Sequence, residues 1–271
     1  DNCLKQFLLW SKLDFDKAKK KFQRFCYNTT THGEYFNDRN LATDYDLKCM
    51  EYSYIFPLPK STPQGYKITI TIHTITDPDR LSITELIRYF ALMFDYITEL
   101  IRYFALMFDY IIHKDSISTG SVLIFDLQYF KPHHYGKLFN LQFLKFLRFS
   151  EQNLPFMVKQ VLVLNCHPLL EKGVNLCKSV VSEKISNRMV VSSNLQDLHK
   201  HIPLECMPME YGGTSKRLDE FREDWRRLLM EEEKFLVELP KIKPTGPVPQ
   251  EVKDVSSEFG LDGSFRKLNI D

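Results

Sequence analysis

Between residues 161 and 191 the spacing of hydrophobic positions changes twice. Residues 161–164 (VLVL) form a continuous apolar run, which predicts a strand covered on both faces. From Pro168 to Val181 apolar residues recur every three or four positions, which predicts an amphipathic helix with the proline in its first turn. Residues 189–191 (MVV) return to a β-like run. We therefore predict a strand–helix–strand unit whose helix covers an apolar surface.

Similar patterns predict further elements on both sides of this unit. Apolar and polar residues alternate over 67–72 (KITITI), and an apolar run over 122–125 ends at Asp126, so each predicts a strand. Helical spacing is found over 4–27, 138–149, 195–202 and 218–239. In the first of these helical segments, Asp14 supplies an N-cap before a lysine-rich stretch, which is expected to form a solvated face.

A sequence repeat interrupts the middle of the chain. The fourteen residues 83–96 (ITELIRYFALMFDY) recur unchanged as residues 97–110. Because fourteen residues make nearly four helical turns, a continuous helix tolerates both copies and becomes about 21 Å longer than with one. We interpret the repeat as a recent duplication or an error in sequence assembly, and one copy as dispensable.

Composition and charge narrow the class of protein. The chain has 271 residues and a formal net charge of +1, so it has no overall attraction for nucleic acid. It contains no uncharged apolar run of membrane-spanning length, and its first residues lack the layout of a signal peptide. The six cysteines are scattered and include no CxxC pair, which is typical of free thiols in a reducing compartment. A cytoplasmic protein is expected.

Candidate catalytic and metal-binding groups are sparse. The sequence has no GxSxG, GxxxxGK[ST], GxGxxG or HExxH motif. His133 and His134 are adjacent and therefore point in different directions, while His199 and His201 have no second ligand pair at zinc-like spacing. Asp126 is interpreted as a carboxylate that anchors a loop rather than as a catalytic acid. We predict neither an enzyme nor a cofactor or metal site.

Six segments taken in order carry a family resemblance. They are FLLWSKLDFDKAKKKF, PLPKSTPQGYKITITI, GSVLIFDLQYF, LPFMVKQVLVLNCHP, SEKISNR and CMPMEYGG. Over about residues 1–235 the chain resembles the CRAL-TRIO lipid-binding family, in the branch of the alpha-tocopherol transfer protein and the cellular retinaldehyde-binding protein. The resemblance implies an α/β fold in which a mixed β-sheet floors an apolar pocket covered by helices. It also implies an N-terminal helical domain over 1–50, truncated at its start, and a lipid-binding domain over 51–236. Outside the resemblance, the prolines from Pro240 onward predict a linker and tail over 237–271.

The resemblance also implies a ligand site beneath a gating helix over 168–181. The matching pocket positions are Leu100, Tyr103, Phe104, Met107, Phe125, Leu138, Phe146, Phe149, Leu154, Phe156, Val158, Val174 and Cys177. Because of the repeat, Leu86, Tyr89, Phe90 and Met93 are equally suited to the first four positions. The basic positions Lys159, Lys184 and Arg188 match a cleft that binds phosphoinositide headgroups, and cations suit phosphate chemically.

The implied function is binding and intermembrane transfer of a hydrophobic small molecule, such as a tocopherol, retinoid or carotenoid. The expected partners are this ligand and membrane phosphoinositides, and the protein is expected to be a monomer that associates transiently with membranes. Two alternatives stay open. One is a phosphatidylinositol or phospholipid exchange or sensing protein, and the other is a scaffold whose pocket is filled by its own side chains.

Overall fold

The computed structural model describes residues 2–31, 39, 41, 50, 53–74, 102–130, 141–153, 157–192 and 195–243. The first copy of the repeat lies outside these residues, and the second copy is described from residue 102 onward. No helix within the described ranges is long and apolar enough to cross a membrane.

The described helices and strands alternate after an all-helical beginning. In chain order they are α1 (Asn2–Trp10), α2 (Phe15–Thr31), β1 (Ser53–Pro57), β2 (Tyr66–His73), α3 (102–113), β3 (Gly120–Asp126), α4 (Leu141–Asn153), β4 (Val158–Leu164), α5 (Pro168–Val180), α6 (Glu183–Ser186), β5 (Met189–Ser192), α7 (Leu195–His201), α8 (Leu218–Glu231) and α9 (Glu233–Glu238). Short 3₁₀ turns occur at Leu204–Cys206, Met209–Tyr211 and Leu239–Lys241. The predicted strand–helix–strand unit is confirmed as β4, α5 and β5.

One five-stranded sheet forms the centre of the fold. The strands lie in the order β1-β2-β3-β4-β5; β1 pairs antiparallel with β2, and the later pairs are parallel. The apolar strands β3 and β4 are its interior, as expected for strands covered on both faces. The predicted mixed α/β fold is thereby confirmed.

Alternation along the strands divides the buried side chains between two faces of the sheet. Ile70, Ile124 and Leu162 face the main core, which α3, α8 and α9 complete. A hydrogen-bonded chain connects these layers: Trp225 Nε1 donates to Tyr103 Oη (2.7 Å), and Tyr103 Oη donates to the Ile55 carbonyl (2.7 Å). The other face carries residues such as Phe125 and packs against α4 and α5. We call it the α5 face.

Two predicted helices are each broken into two. The segment with helical spacing over 4–27, in which Asp14 was predicted as an N-cap, forms α1 and α2; between them Lys12 and Leu13 adopt left-handed backbone conformations with φ of 58° and 63°. That conformation costs an L-residue roughly 1–2 kcal/mol, and no glycine signals it in the sequence. The segment predicted over 218–239 is interrupted at Glu232, between α8 and α9.

The N-terminal helices pack onto the sheet domain through a small apolar cluster. Phe7, Trp10 and Phe25 bury their side chains against Ile112 of α3. The Phe7 and Phe22 rings meet edge to face with centroids 5.2 Å apart. Asp14 Oδ1 accepts from the Lys17 N–H at 3.0 Å, so the predicted N-cap of α2 is confirmed. This packing places the turn between α1 and α2 beside the α5 face.

Candidate functional site

A cavity of about 460 Å³ lies on the α5 face of the sheet. Its walls come from the turn between α1 and α2, from α3 and α4, and from the segment where α5 ends and α6 begins. Cavities that hold small organic ligands in proteins are about 300–1,000 Å³. The space is therefore large enough for one such ligand.

The floor of the cavity is mostly apolar. The sheet contributes Leu123 and Phe125 from β3, Val158 and Val161 from β4, and Met189 from β5. The helices add the apolar side chains Phe108, Ile111, Leu147 and Cys177. Transferring an apolar ligand from water into such surroundings lowers the free energy by about 25 cal/mol for each Å² of apolar surface buried.

Helix α5 covers only part of this cavity. Pro168 begins the helix, and the His167 side chain accepts a hydrogen bond from the Leu169 N–H (3.2 Å), which caps it. Leu170 and Val174 pack into the protein core of the α5 face, whereas Cys177 also lines the cavity. Burial raises the pKa of the Cys177 thiol to about 12, so it stays neutral at physiological pH. The first half of α5 is thus anchored on protein, and its last turn lies over the cavity.

The lining of the cavity also contains basic side chains. They are Lys12, Lys17, Lys21, Lys67, Lys184 and Arg188, and Glu151 is the one carboxylate that accompanies them among the described residues. Three of these cations have partners. Lys17 pairs with Asp14 (2.6 Å), Lys67 pairs with Asp115 (2.9 Å), and Arg188 Nη1 donates to the Val158 carbonyl.

Lys12, Lys21 and Lys184 are the lining cations for which the described residues supply no such partner, and Lys21 and Lys184 lie close to each other. Burial, and then the nearby charges of Lys184 and Arg24, lower the pKa of Lys21. Within the described ranges neither Lys21 nor Lys184 has a carboxylate at ion-pair distance. A bound anion at this end of the cavity would relieve their mutual repulsion.

The sequence comparisons agree with this architecture. Residues 51–213 match the model of the CRAL/TRIO domain, which is more than half of the chain. The chain belongs to the CRAL/TRIO family.

Curated relatives of this CRAL/TRIO protein include proteins named alpha-tocopherol transfer protein-like. The chain is 26% identical over 251 residues to the one from Pongo abelii, covering 90% of this chain and 67% of that protein. It is 25% identical over 238 residues to the one from Homo sapiens, covering 86% of this chain and 64% of the relative. The chain therefore spans about two thirds of the length of these relatives.

A solved structure shares the fold. The crystal structure of Sfh5 aligns with a TM-score of 0.55 at 10% identity, over 86% of this chain and 80% of Sfh5. At this identity the likeness shows the CRAL/TRIO fold alone.

The structure brings five of the predicted site residues to the lining of the cavity: Phe125, Val158, Cys177, Lys184 and Arg188. Val174 packs in the adjoining core of the α5 face. Leu100, Leu138, Leu154, Phe156, the side chain of Phe149, and the first-copy residues Leu86, Tyr89, Phe90 and Met93 lie outside what the structure describes.

Five predicted residues lie elsewhere than in the cavity lining. Tyr103 and Met107 are fully buried in the main core, and the Phe104 and Phe146 rings pack together with centroids 6.0 Å apart. Lys159 lies at an irregularity in the pairing of β3 with β4, where Ser121 pairs with Val158 and Val122 pairs with Gln160. Its Nζ is 5.2 Å from the centre of the Tyr66 ring, which packs against the main core. The sheet separates Lys159 from Lys184 and Arg188.

Sequence reasoning missed several residues that line the cavity. Lys67 and Thr69 lie on the α5 face of β2, and the KITITI alternation already assigns them to one face. Trp10, at the end of α1, and Ser11 and Lys12, in the turn that follows, also line the cavity. The predicted N-cap at Asp14 indicated a helix start after this turn, but no glycine marks its left-handed conformation. Ser150 and Glu151 lie on α4, within a predicted element, but periodicity alone does not show what they face.

Asp126 has the anchoring role predicted from the sequence. Its carboxylate accepts hydrogen bonds from the Gln128 N–H (2.9 Å), from Asn165 Nδ2 (2.8 Å) and from the Tyr211 hydroxyl. Burial and the Asp126 charge raise the pKa of Tyr211, which keeps the phenol protonated. Among the described residues no group of three histidine, cysteine or acidic side chains is arranged to hold a metal ion.

Proposed function

We propose that this protein binds a hydrophobic small molecule, such as a tocopherol, retinoid, carotenoid or similar lipid, and transfers it between membranes. CRAL/TRIO domains bind hydrophobic small molecules. The observation that carries the proposal here is the cavity of about 460 Å³ with an apolar floor on β3, β4 and β5. Each methylene buried there contributes about 0.8 kcal/mol to binding.

Exchange at a membrane requires the cavity to open. The end of α5 is the favoured moving part, because its first half rests on protein whereas its last turn lies over the cavity. On the outer surface of this helix, Leu169 and Leu176 are 54% and 38% exposed. They lie seven residues apart and hence on one side of the helix. An apolar outer surface favours contact with lipid when the helix moves.

Phosphoinositide binding is the proposed means of docking. Lys184 and Arg188 lie at the cavity lining beside Lys21, and phosphate groups suit such a cluster because charge-assisted hydrogen bonds are the strong ones. The same cations support a second candidate function, phospholipid exchange, since a phosphorylated headgroup would occupy the basic end and an acyl chain the apolar floor. The two candidates differ in which molecule fills the cavity.

Native and denaturing mass spectrometry of the purified protein tests both candidates. A co-purifying isoprenoid or similar neutral lipid supports the first proposal, and a stoichiometric phospholipid supports the second. A protein that is empty and takes up neither kind of fluorescent lipid supports the scaffold alternative instead.

A cavity-filling variant tests where the ligand binds. Val158→Trp places bulk in the cavity and is expected to reduce lipid uptake about tenfold or more, because the added ring occupies the ligand's volume. Leu228→Trp adds similar bulk to α8 at a half-exposed position outside the lining and serves as the control. Equal uptake by Val158→Trp, in protein whose circular dichroism and melting temperature match the control, would place the ligand elsewhere.

A further inference from the structure

The turn between α1 and α2 presents two large apolar side chains to solvent. Leu13, in the turn, is 69% exposed, and Phe15, the first residue of α2, is 72% exposed, whereas Phe7 and Trp10 of α1 are buried. They flank Asp14, which caps α2 and pairs with Lys17. Among the described residues, no contact that would stabilise the fold accounts for the exposure of these two side chains.

The backbone holds Leu13 outward. The Leu13 N–H donates to the Leu8 carbonyl (2.9 Å) and the Lys12 N–H to the Leu9 carbonyl (3.0 Å), the bonding pattern that commonly ends a helix. In that pattern the residue at the position of Leu13 usually packs back on the last helical turn. Here the conformation is unfavourable at both Lys12 and Leu13 and still leaves the leucine exposed.

The surroundings of this turn are basic and adjoin the cavity. Residues 12–21 contain five lysines and two aspartates. Ser11, Lys12, Lys17 and Lys21 line the cavity, so the two exposed side chains lie between residues of its wall. Lys184 and Arg188 extend the positive charge on the other side of the lining.

We propose that Leu13 and Phe15 form a tip that inserts into the surface of an anionic lipid bilayer and brings the mouth of the cavity onto the membrane. Two side chains expose far less area than the roughly 800 Å² that each partner buries in a stable protein interface. Apolar residues beside lysines instead suit the boundary between headgroups and acyl chains. This inference rests on the proposed transfer function, for which it supplies a membrane-facing surface.

A fluorescence experiment tests insertion directly. The two native tryptophans, Trp10 and Trp225, are 2% and 3% exposed, so a tryptophan placed at the tip is distinguishable from them. Phe15→Trp is expected to shift its emission to the blue and to be quenched by brominated acyl chains in vesicles of phosphatidylcholine and phosphatidylserine. Ile242→Trp, at a position that is 75% exposed and outside the lining, is the matched control and is expected to change little.

A binding measurement completes the test. Leu13→Asn with Phe15→Ser should weaken co-sedimentation with the same vesicles about tenfold, since two apolar anchors are lost; asparagine tolerates the left-handed conformation. Ile242→Asn should bind as the unchanged protein does. Vesicle binding by the double variant equal to that of the control, or an emission from Phe15→Trp that vesicles leave unchanged, overturns the inference.

Lipid uptake from detergent solution separates this inference from the proposed function. The tip variants are expected to take up lipid normally and to transfer it slowly between vesicles. If the unchanged protein inserts its tip but takes up no lipid, the proposed function fails and the membrane-inserting tip stands.

Discussion

Gln6 and Ser118 exchange two hydrogen bonds across the junction between the N-terminal helices and the sheet. Gln6 Nε2 donates to the Ser118 carbonyl (2.8 Å), and the Ser118 N–H donates to Gln6 Oε1 (3.0 Å). Trp10 Nε1 donates to the same carbonyl (3.0 Å). Both Gln6 and Ser118 are buried, so the side-chain amide satisfies a backbone segment that has no access to water.

Replacing Gln6 should therefore destabilise the protein. We expect Gln6→Leu to lower the free energy of unfolding by about 2 kcal/mol, because the Ser118 N–H is left buried without its acceptor. Urea denaturation followed by circular dichroism measures the change. Lys5→Ala, an exposed position on the same helix, should have little effect. A Gln6→Leu variant as stable as Lys5→Ala would show that these hydrogen bonds contribute nothing.

Phosphoinositide binding should depend on which face of the sheet carries the cation. Lys184→Ala is expected to weaken binding to phosphoinositide-containing vesicles several-fold, more strongly at low salt, because Lys184 lies at the cavity lining. Lys159→Ala is expected to have little effect, since Lys159 lies over Tyr66 on the opposite face. Flotation of both variants with the same vesicles measures the difference. Equal losses would place the headgroup site across both positions.

The reactivity of Cys177 should report opening of α5. Its thiol is buried beneath the helix, and burial raises its pKa to about 12, so alkylation requires both exposure and deprotonation. In a variant with Cys177 as its one cysteine, labelling by a maleimide is expected to be slow in solution and faster with anionic vesicles. Mass spectrometry follows the modification. A rate that vesicles leave unchanged would argue against movement of this part of α5.

His113 should make stability fall in mild acid. Burial lowers the pKa of His113, an effect that Arg39 and Lys114 reinforce and the Asp109 charge opposes. Because the folded pKa lies below the unfolded value, the unfolded state binds the proton first, and stability present above about pH 6.5 is lost as pH falls toward the folded pKa.

His113→Gln is therefore expected to lose less melting temperature than the unchanged protein between about pH 7 and pH 5. His201→Gln, at an exposed histidine, is the comparison and should retain the full loss. Identical pH dependence in all three proteins would exclude His113 as a source of the acid sensitivity.

The sequence allowed the strands β2 to β5 and the helix α5 to be predicted because their signals are local, whereas β1 was not predicted. The runs at 122–125 and 161–164 are strands in the interior of the sheet, and Pro168 begins α5 as its position suggested. By contrast, the break at Lys12 and Leu13 depends on a left-handed turn of residues that rarely adopt one, so periodicity runs through it.

The ligand site was harder to predict because periodicity shows that a helix has an apolar side but not what that side meets. α3 is apolar around most of its circumference, and the structure turns Tyr103 and Met107 into the main core while Phe108 and Ile111 line the cavity. Lys159 was grouped with Lys184 and Arg188, but the register between β3 and β4 shifts at this residue, and its ammonium group lies over the Tyr66 ring on the main-core side. Long-range packing decided these assignments.

The cavity lies between the sheet, which forms its floor, and the turn between α1 and α2, which forms part of its wall. An occupant that touches both sides is coupled thermodynamically to the docking of the N-terminal helices. By reciprocity, whatever loosens that docking must lower the affinity for the occupant by the same factor by which the occupant tightens it. Under the proposed function, the docking of the N-terminal helices would therefore influence release of the ligand.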